Sequence, residues 1–116
     1  MNYTRISAIL AFLAIALGAF GAHGLEKHAE IFSRIEFWET ASHYHLIHAV
    51  ALFAIAWRAE SVPKGPWICL AVGILVFSGC LYLYCLTGAA IFGAITPIGG
   101  VAFLAGWLWF AIRAKS

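Results

Sequence analysis

An all-α integral membrane bundle of four transmembrane helices is the fold class the sequence predicts, and three observations predict it. The 116-residue chain is 64% hydrophobic and only 10% charged, with a mean hydropathy of +0.93. A water-soluble domain of this length has too little interior to hide that much apolar surface. Four apolar runs follow one another along the chain, each near the roughly 20 residues that a helix needs to cross the hydrocarbon core. Only short polar connections separate them, so the whole of residues 1–116 reads as one transmembrane domain with no separate soluble part.

The first helix is expected over approximately residues 4–24, on the run Ile6–Ala22. Arg5 ahead of this run and Gly21-Ala22-His23-Gly24 behind it give it the look of a signal peptide. The run is long for a signal core, however. Ser7, Ala11, Ala14, Gly18 and Ala22 also lie on one stripe at the small-xxx-small spacing that lets another helix approach closely, so we expect the helix to be retained. The same stripe, Ser7–Ala11–Ala14–Gly18, is a candidate face for homo-oligomerisation. From Leu25 to Phe37 the residues Leu25, Ala29, Phe32 and Ile35 repeat at helical spacing, and Glu30–Arg34 is an i,i+4 ion pair. This predicts a short amphipathic segment on the outer face.

The second helix is expected over approximately residues 38–58 and the third over 66–87. Ser61-Val62-Pro63-Lys64-Gly65-Pro66 between them is a turn that two prolines keep from becoming helical. Gly88 to Gly93 reads as a tight connection to the fourth helix, expected over 95–113. There Pro97 fits the first helical turn, where its missing N–H costs nothing. Thr96 fits the N-cap, and Gly99, Gly100 and Gly106 permit close helix contact. Cys69, Cys80 and Cys85 all lie inside apolar runs, at no metal or redox spacing, and read as small packing residues.

Lysine and arginine set the orientation. Arg5, Arg58, Lys64, Arg113 and Lys115 fall on one side of the alternating helices, and Lys27 and Arg34 on the other with Glu26, Glu30, Glu36 and Glu39. Both termini are therefore expected in the cytoplasm. Trp57, Trp67, Trp107 and Trp109 would form an interfacial belt on that side, with Trp38, Tyr82 and Tyr84 toward the other. The net charge of +2 is spread over termini and loops, so nothing suggests nucleic acid; the bilayer is the expected partner.

The informative stretch is Trp38-Glu39-Thr40-Ala41-Ser42-His43-Tyr44-His45-Leu46-Ile47-His48-Ala49. Ionisable groups within a membrane helix are costly and face protein or water. At 100° per residue Trp38, Ala41, Ser42, His45, His48, Ala49 and Leu52 share one face, and Leu46, Ile47, Val50 and Phe53 form a flank fit for lipid. Glu39 and His43, at i,i+4 near the head groups, make a candidate surface ion pair. Alternating topology gathers His23, His45, His48, Ser78, Tyr82 and Thr96 into the outer leaflet as a candidate polar cluster.

Three readings of that cluster are open. It glues helices together by hydrogen bonds, it binds a metal or haem through His23, His45 and His48, or it orients the head of a lipid- or quinone-like molecule. Stabilisation of a membrane partner is a further role for the same surface. Enzymatic chemistry is not expected, since the chain has no Ser/His/Asp constellation, no phosphate-cradling loop and no paired acids in a helix core; no cofactor is identified.

Four ordered motifs, Gly18-Ala19-Phe20-Gly21-Ala22-His23-Gly24-Leu25, Trp38 to Ala49, Phe77-Ser78-Gly79 with Leu81-Tyr82, and Ile95-Thr96-Pro97-Ile98-Gly99-Gly100, resemble the YgdD-like family of small multi-pass membrane proteins, found in bacteria with eukaryotic relatives. The resemblance covers nearly the whole chain. It implies a bacterial plasma-membrane location and a four-helix fold, and it implies no activity, because the family is uncharacterised. Cys80 stands where that family usually has a second serine after the phenylalanine, which would weaken any polar role of that hydroxyl.

Overall fold

A computed structural model describes residues 1–114; Lys115, counted above for orientation, lies outside the described residues. Four long helices run antiparallel. They are α1 (Tyr3–Gly24), α3 (Ile35–Arg58), α4 (Lys64–Thr87) and α5 (Ala90–Arg113), with a single turn, α2 (Ala29–Phe32), between α1 and α3. The bundle is 50 Å long and 25 × 24 Å across. At about 1.5 Å per residue, each long helix exceeds the roughly 30 Å hydrocarbon core.

Three of the four, α1, α4 and α5, are long and apolar enough to cross a membrane by length and composition alone. The histidines and glutamates of α3 lower its hydropathy, but their placement restores a lipid-compatible surface. His45 and His48 are 4% and 6% exposed, whereas Leu46, Ile47 and Val50 are 38%, 50% and 54% exposed. The expected split of α3 into an inward polar face and an outward apolar one is what the fold uses.

In lipid, apolar burial does little to drive helices together, so close packing of small residues and interhelical hydrogen bonds must do it. On α1 the buried residues are Ser7, Ala14 and Gly21, seven apart, and they face α3. Part of the stripe of small residues, Ser7 and Ala14, is thus used for packing within the chain, while Gly18 is half-buried and Ala22 exposed. On α5 the buried Gly99 and Gly106 lie against α4: a Cβ on Gly99 would run into the Phe77 backbone, and one on Gly106 would land 2.8 Å from Leu70 Cδ2. Gly100, by contrast, sits at ordinary contact distance from the Phe77 ring.

Helix α4 is interrupted by a π-helical turn, Ile74–Ser78. Such turns are rare, and they are frequent where a helix does something other than pack regularly. This one carries Phe77, the residue that Gly99 meets, and Ser78, whose hydroxyl donates to the Ala41 carbonyl of α3 at 2.8 Å.

Three details differ from expectation. Helix α5 begins at Ala90, so Pro97 lies inside it and Thr96 is no N-cap; the Thr96 hydroxyl donates instead to the Phe92 carbonyl at 2.8 Å. Pro97 leaves the Gly93 carbonyl without its helical donor, a loss that membrane helices tolerate when neighbouring hydroxyls and helices compensate. The connection from α4 shrinks to Gly88 and Ala89, because Gly88 takes a left-handed φ of 70° and reverses the chain in one residue. Arg34 does not serve Glu30: its Nε donates at 3.0 Å to the Cys85 carbonyl, one of the four orphan acceptors at the end of α4.

Two tryptophans are also placed differently. Trp38 and Trp67 are 3% and 2% exposed and donate to backbone carbonyls of neighbouring helices, Trp38 to Leu17 at 2.8 Å and Trp67 to Leu52 at 3.3 Å. Trp57, Trp107 and Trp109 remain on the surface. A buried indole must find an acceptor, and here it finds one across a helix seam.

Candidate functional site

Helix α3 carries most of the polar groups, and its neighbours complete them in two separate places. In the first, the Tyr82 hydroxyl of α4 lies 2.9 Å from His45 Nδ1 and 3.4 Å from Ser42 Oγ. Trp38 packs on Tyr82 with ring centroids 4.6 Å apart, and Ser78 is bonded to Ala41 one turn away. With the Tyr82 hydroxyl donating to Ser42, His45 Nδ1–H donates to the Tyr82 oxygen, and Nε2 of the neutral ring carries no proton. That nitrogen is buried without a hydrogen-bond partner.

In the second place, about one turn further along α3 and turned toward α5, both ring nitrogens of His48 are engaged. Nδ1 donates to the Tyr44 carbonyl at 2.8 Å, and Nε2 accepts from Trp107 Nε1 of α5 at 3.0 Å. The imidazole lies flat on Phe103, with centroids 3.9 Å apart. This fixes a neutral ring in one tautomer and ties α3 to α5. Nothing in the sequence paired His48 with Trp107, because the two are 59 positions apart and Trp107 reads as an interfacial anchor. A double-mutant cycle of His48→Phe and Trp107→Phe should give a coupling of about 0.6–1.7 kcal/mol, the range for hydrogen bonds between membrane helices; a coupling near zero by unfolding titration in detergent would mean that the bond does not hold the helices.

The predicted cluster is therefore only partly assembled. His45, Tyr82 and Ser78 come together with Ser42. His48 faces α5, and Thr96 is tied to its own helix. His23 is exposed at the end of α1. Among the described residues no three His, Cys, Asp or Glu side chains come together as metal ligands would. Cys69, Cys80 and Cys85 are all free thiols.

Next to the first network a groove of about 550 Å³ runs between α1 and α3. This lies within the size range of small-molecule sites. Gly18 and Ala22 of α1 keep its floor open, and Trp38 closes one wall because Gly21 has no side chain to obstruct the indole. Glu39, Ser42 and His43 line the end near α2, and Ile15 and Leu46 line the deeper part. Leu46 is seven residues along α3 from Glu39, about 10 Å at helical rise. One end of the groove thus offers a carboxylate, a hydroxyl and an imidazole, and the other only hydrocarbon. Ser42 belongs both to this groove and to the Tyr82–His45 network. The sequence marked Ser42 as inward and Glu39 and His43 as a surface pair; it could not show that α1 lies beside them and makes a slot.

Comparison with known proteins fits this membrane bundle. A family described as "Protein of unknown function (DUF423)" matches residues 17–100. The chain is 44% identical to the UPF0382 membrane protein YwdK of Bacillus subtilis over 115 residues, covering 94% of this chain and 92% of that one. It is 36% identical to a UPF0382 membrane protein of Haemophilus influenzae, covering 95% and 90%. A UPF0382 membrane protein of Schizosaccharomyces pombe is 34% identical, covering 92% and 96%. No solved structure matches. On the strength of a match over most of its length, the chain belongs to the DUF423, or UPF0382, family of membrane proteins, a family of unknown function.

Proposed function

We propose that this protein is a binding protein rather than an enzyme, and that the α1–α3 groove holds one amphiphilic molecule, lipid-like or quinone-like. The observation that carries this reading is the polarity gradient along the groove. Glu39, Ser42 and His43 stand at the α2 end, with Gly18 opposite Ser42, and Ile15 and Leu46 lie deeper. The occupant's polar head would hydrogen-bond to the hydroxyl and imidazole at the level of the head groups, and its chain would lie against α1 and α3. Tyr82 and His45 fix the position of Ser42 from behind. A metal or haem reading finds less support, because both nitrogens of His48 are spoken for and His23 stands apart.

The same reading places the protein in the bacterial plasma membrane with both termini in the cytoplasm. Arg5, Arg58, Lys64 and Arg113 share the end that carries the termini, and the positive-inside rule assigns that end to the cytoplasm. The groove's polar end then lies in the outer leaflet. The four motifs support the narrower YgdD-like assignment within the family. Identification of the occupant is direct: organic extraction of protein purified in mild detergent, followed by mass spectrometry. One amphiphile at a 1:1 ratio to protein is expected; bulk lipid in proportion to the membrane's composition would contradict a dedicated occupant.

A further inference from the structure

At the opposite end of the bundle a second groove of about 490 Å³ opens between the last turns of α3 and α5 and the loop that joins α3 to α4. Ile55, Pro63, Trp107 and Phe110 form its apolar walls, and Ser61 and Arg113 stand at its mouth. We infer that this groove is a specific site for an anionic phospholipid, with the lipid phosphate held by Arg113 and Ser61 and the start of an acyl chain lying against Trp107 and Phe110.

Three features support it. The first is the groove's composition: an arginine and a hydroxyl at the rim of an aromatic slot match a phosphate on a hydrocarbon tail. A guanidinium is the side chain that pairs two phosphate oxygens at once. The second is the charge around it. Arg113 lines the groove, and Arg58 at the end of α3 and Lys64 at the start of α4 stand at the same end of the bundle, against a single acidic side chain, Glu60. Basic pockets between membrane helices bind anionic head groups in this way. The third is the exposure of Trp107 and Trp109, 43% and 44%, which sets this rim at the depth where indoles sit among head groups. The α2 end has the reverse balance, with Glu26, Glu30, Glu36 and Glu39 against Lys27 and Arg34, so this preference belongs to one end of the molecule.

The site is separate from the α1–α3 groove, and the test keeps them separate. The full chain is placed in mixed detergent micelles containing equal dioleoyl phosphatidylglycerol and dioleoyl phosphatidylcholine, and the retained lipid is counted by native mass spectrometry. One phosphatidylglycerol should be retained in preference to phosphatidylcholine. Arg113→Gln should weaken that preference about fivefold, as expected for one juxtamembrane cation, and Arg58→Gln or Lys64→Gln by less, since neither side chain lines the groove. Arg113→Lys, which keeps the charge but loses the two-oxygen fork, should retain part of it. Arg5→Gln removes a cation from the same end of the bundle but outside the groove, and should leave it unchanged. Equal retention of the two lipids in the unaltered protein would overturn the inference. So would a loss in Arg5→Gln as large as in Arg113→Gln, which would mean a diffuse basic surface. Displacement of the lipid by millimolar inorganic phosphate would show that a free anion rather than a lipid is recognised, and would overturn it too. Circular dichroism on each variant excludes unfolding as the cause, and the charge-retaining lysine variant keeps the inference testable if the glutamine variant fails to fold.

Discussion

Gly99→Ala is expected to cost about 3 kcal/mol of bundle stability, the upper end of the usual range for overpacking. The reason is what the new methyl would meet. Its Cβ would run into the Phe77 backbone nitrogen and lie 2.7 Å from Phe77 Cα. A flexible side chain could swing aside; a backbone held in a π-helical turn between two helix segments cannot, so α4 and α5 must separate along their seam. Gly79→Ala is the matched control. It lies immediately after that turn on the same helix, a Cβ there meets nothing within 4 Å, and alanine's better helix propensity predicts a neutral or slightly stabilising change, up to about 1 kcal/mol. Unfolding titration in mixed micelles reads both. A cost below about 0.5 kcal/mol for Gly99→Ala would mean that the two helices do not approach as closely as described.

Trp38→Ala should be the most damaging single truncation, at about 3–5 kcal/mol. Trp38 is 3% exposed. It donates to the Leu17 carbonyl of α1 and packs against Phe20 of α1 and Tyr82 of α4, with centroids at 5.9 Å and 4.6 Å. One side chain thus joins three helices, and its loss opens a cavity at their meeting point. Trp38→Phe keeps most of the ring and loses the donor; it should cost about 1 kcal/mol. The α1–α3 groove should lose its occupant in the alanine variant, because its wall is gone, and keep it in the phenylalanine variant. Equal costs for the two substitutions would show that the hydrogen bond, not the packing, matters.

The sequence carried much of this fold because membrane folding leaves few options. Spans of fixed length, backbone groups that must bond internally and a handful of cations set the helices and their order. The inward face of α3 was legible from periodicity alone, because Trp38, Ala41, His45, His48, Ala49 and Leu52 recur at helical spacing among residues fit for lipid. The start of α5 was misplaced because a proline is a good N-terminal signal in water, whereas in a bundle Pro97 is tolerated inside the helix. The candidate site was half legible. His45, Ser78 and Tyr82 could be grouped from depth, but depth says nothing about azimuth between helices. That missing angle is what turned His48 toward Trp107, kept His23 outside and brought α1 alongside Ser42. Glu39 and His43 read as an ordinary surface pair for the same reason: a groove belongs to two helices, and periodicity describes one at a time.

Occupancy of the α1–α3 groove by an amphiphile is read from the native mass of the detergent-extracted protein beside its Gly18→Leu variant. A Cβ at Gly18 meets only Ser42 Oγ, at 4.0 Å, and the groove beyond it is open, so leucine is expected to fill the slot rather than part the helices. One amphiphile-sized adduct is expected on the unaltered protein and none on Gly18→Leu, with the two equally stable to unfolding. A clean unliganded mass for the unaltered protein, or an adduct that survives Gly18→Leu, would contradict it.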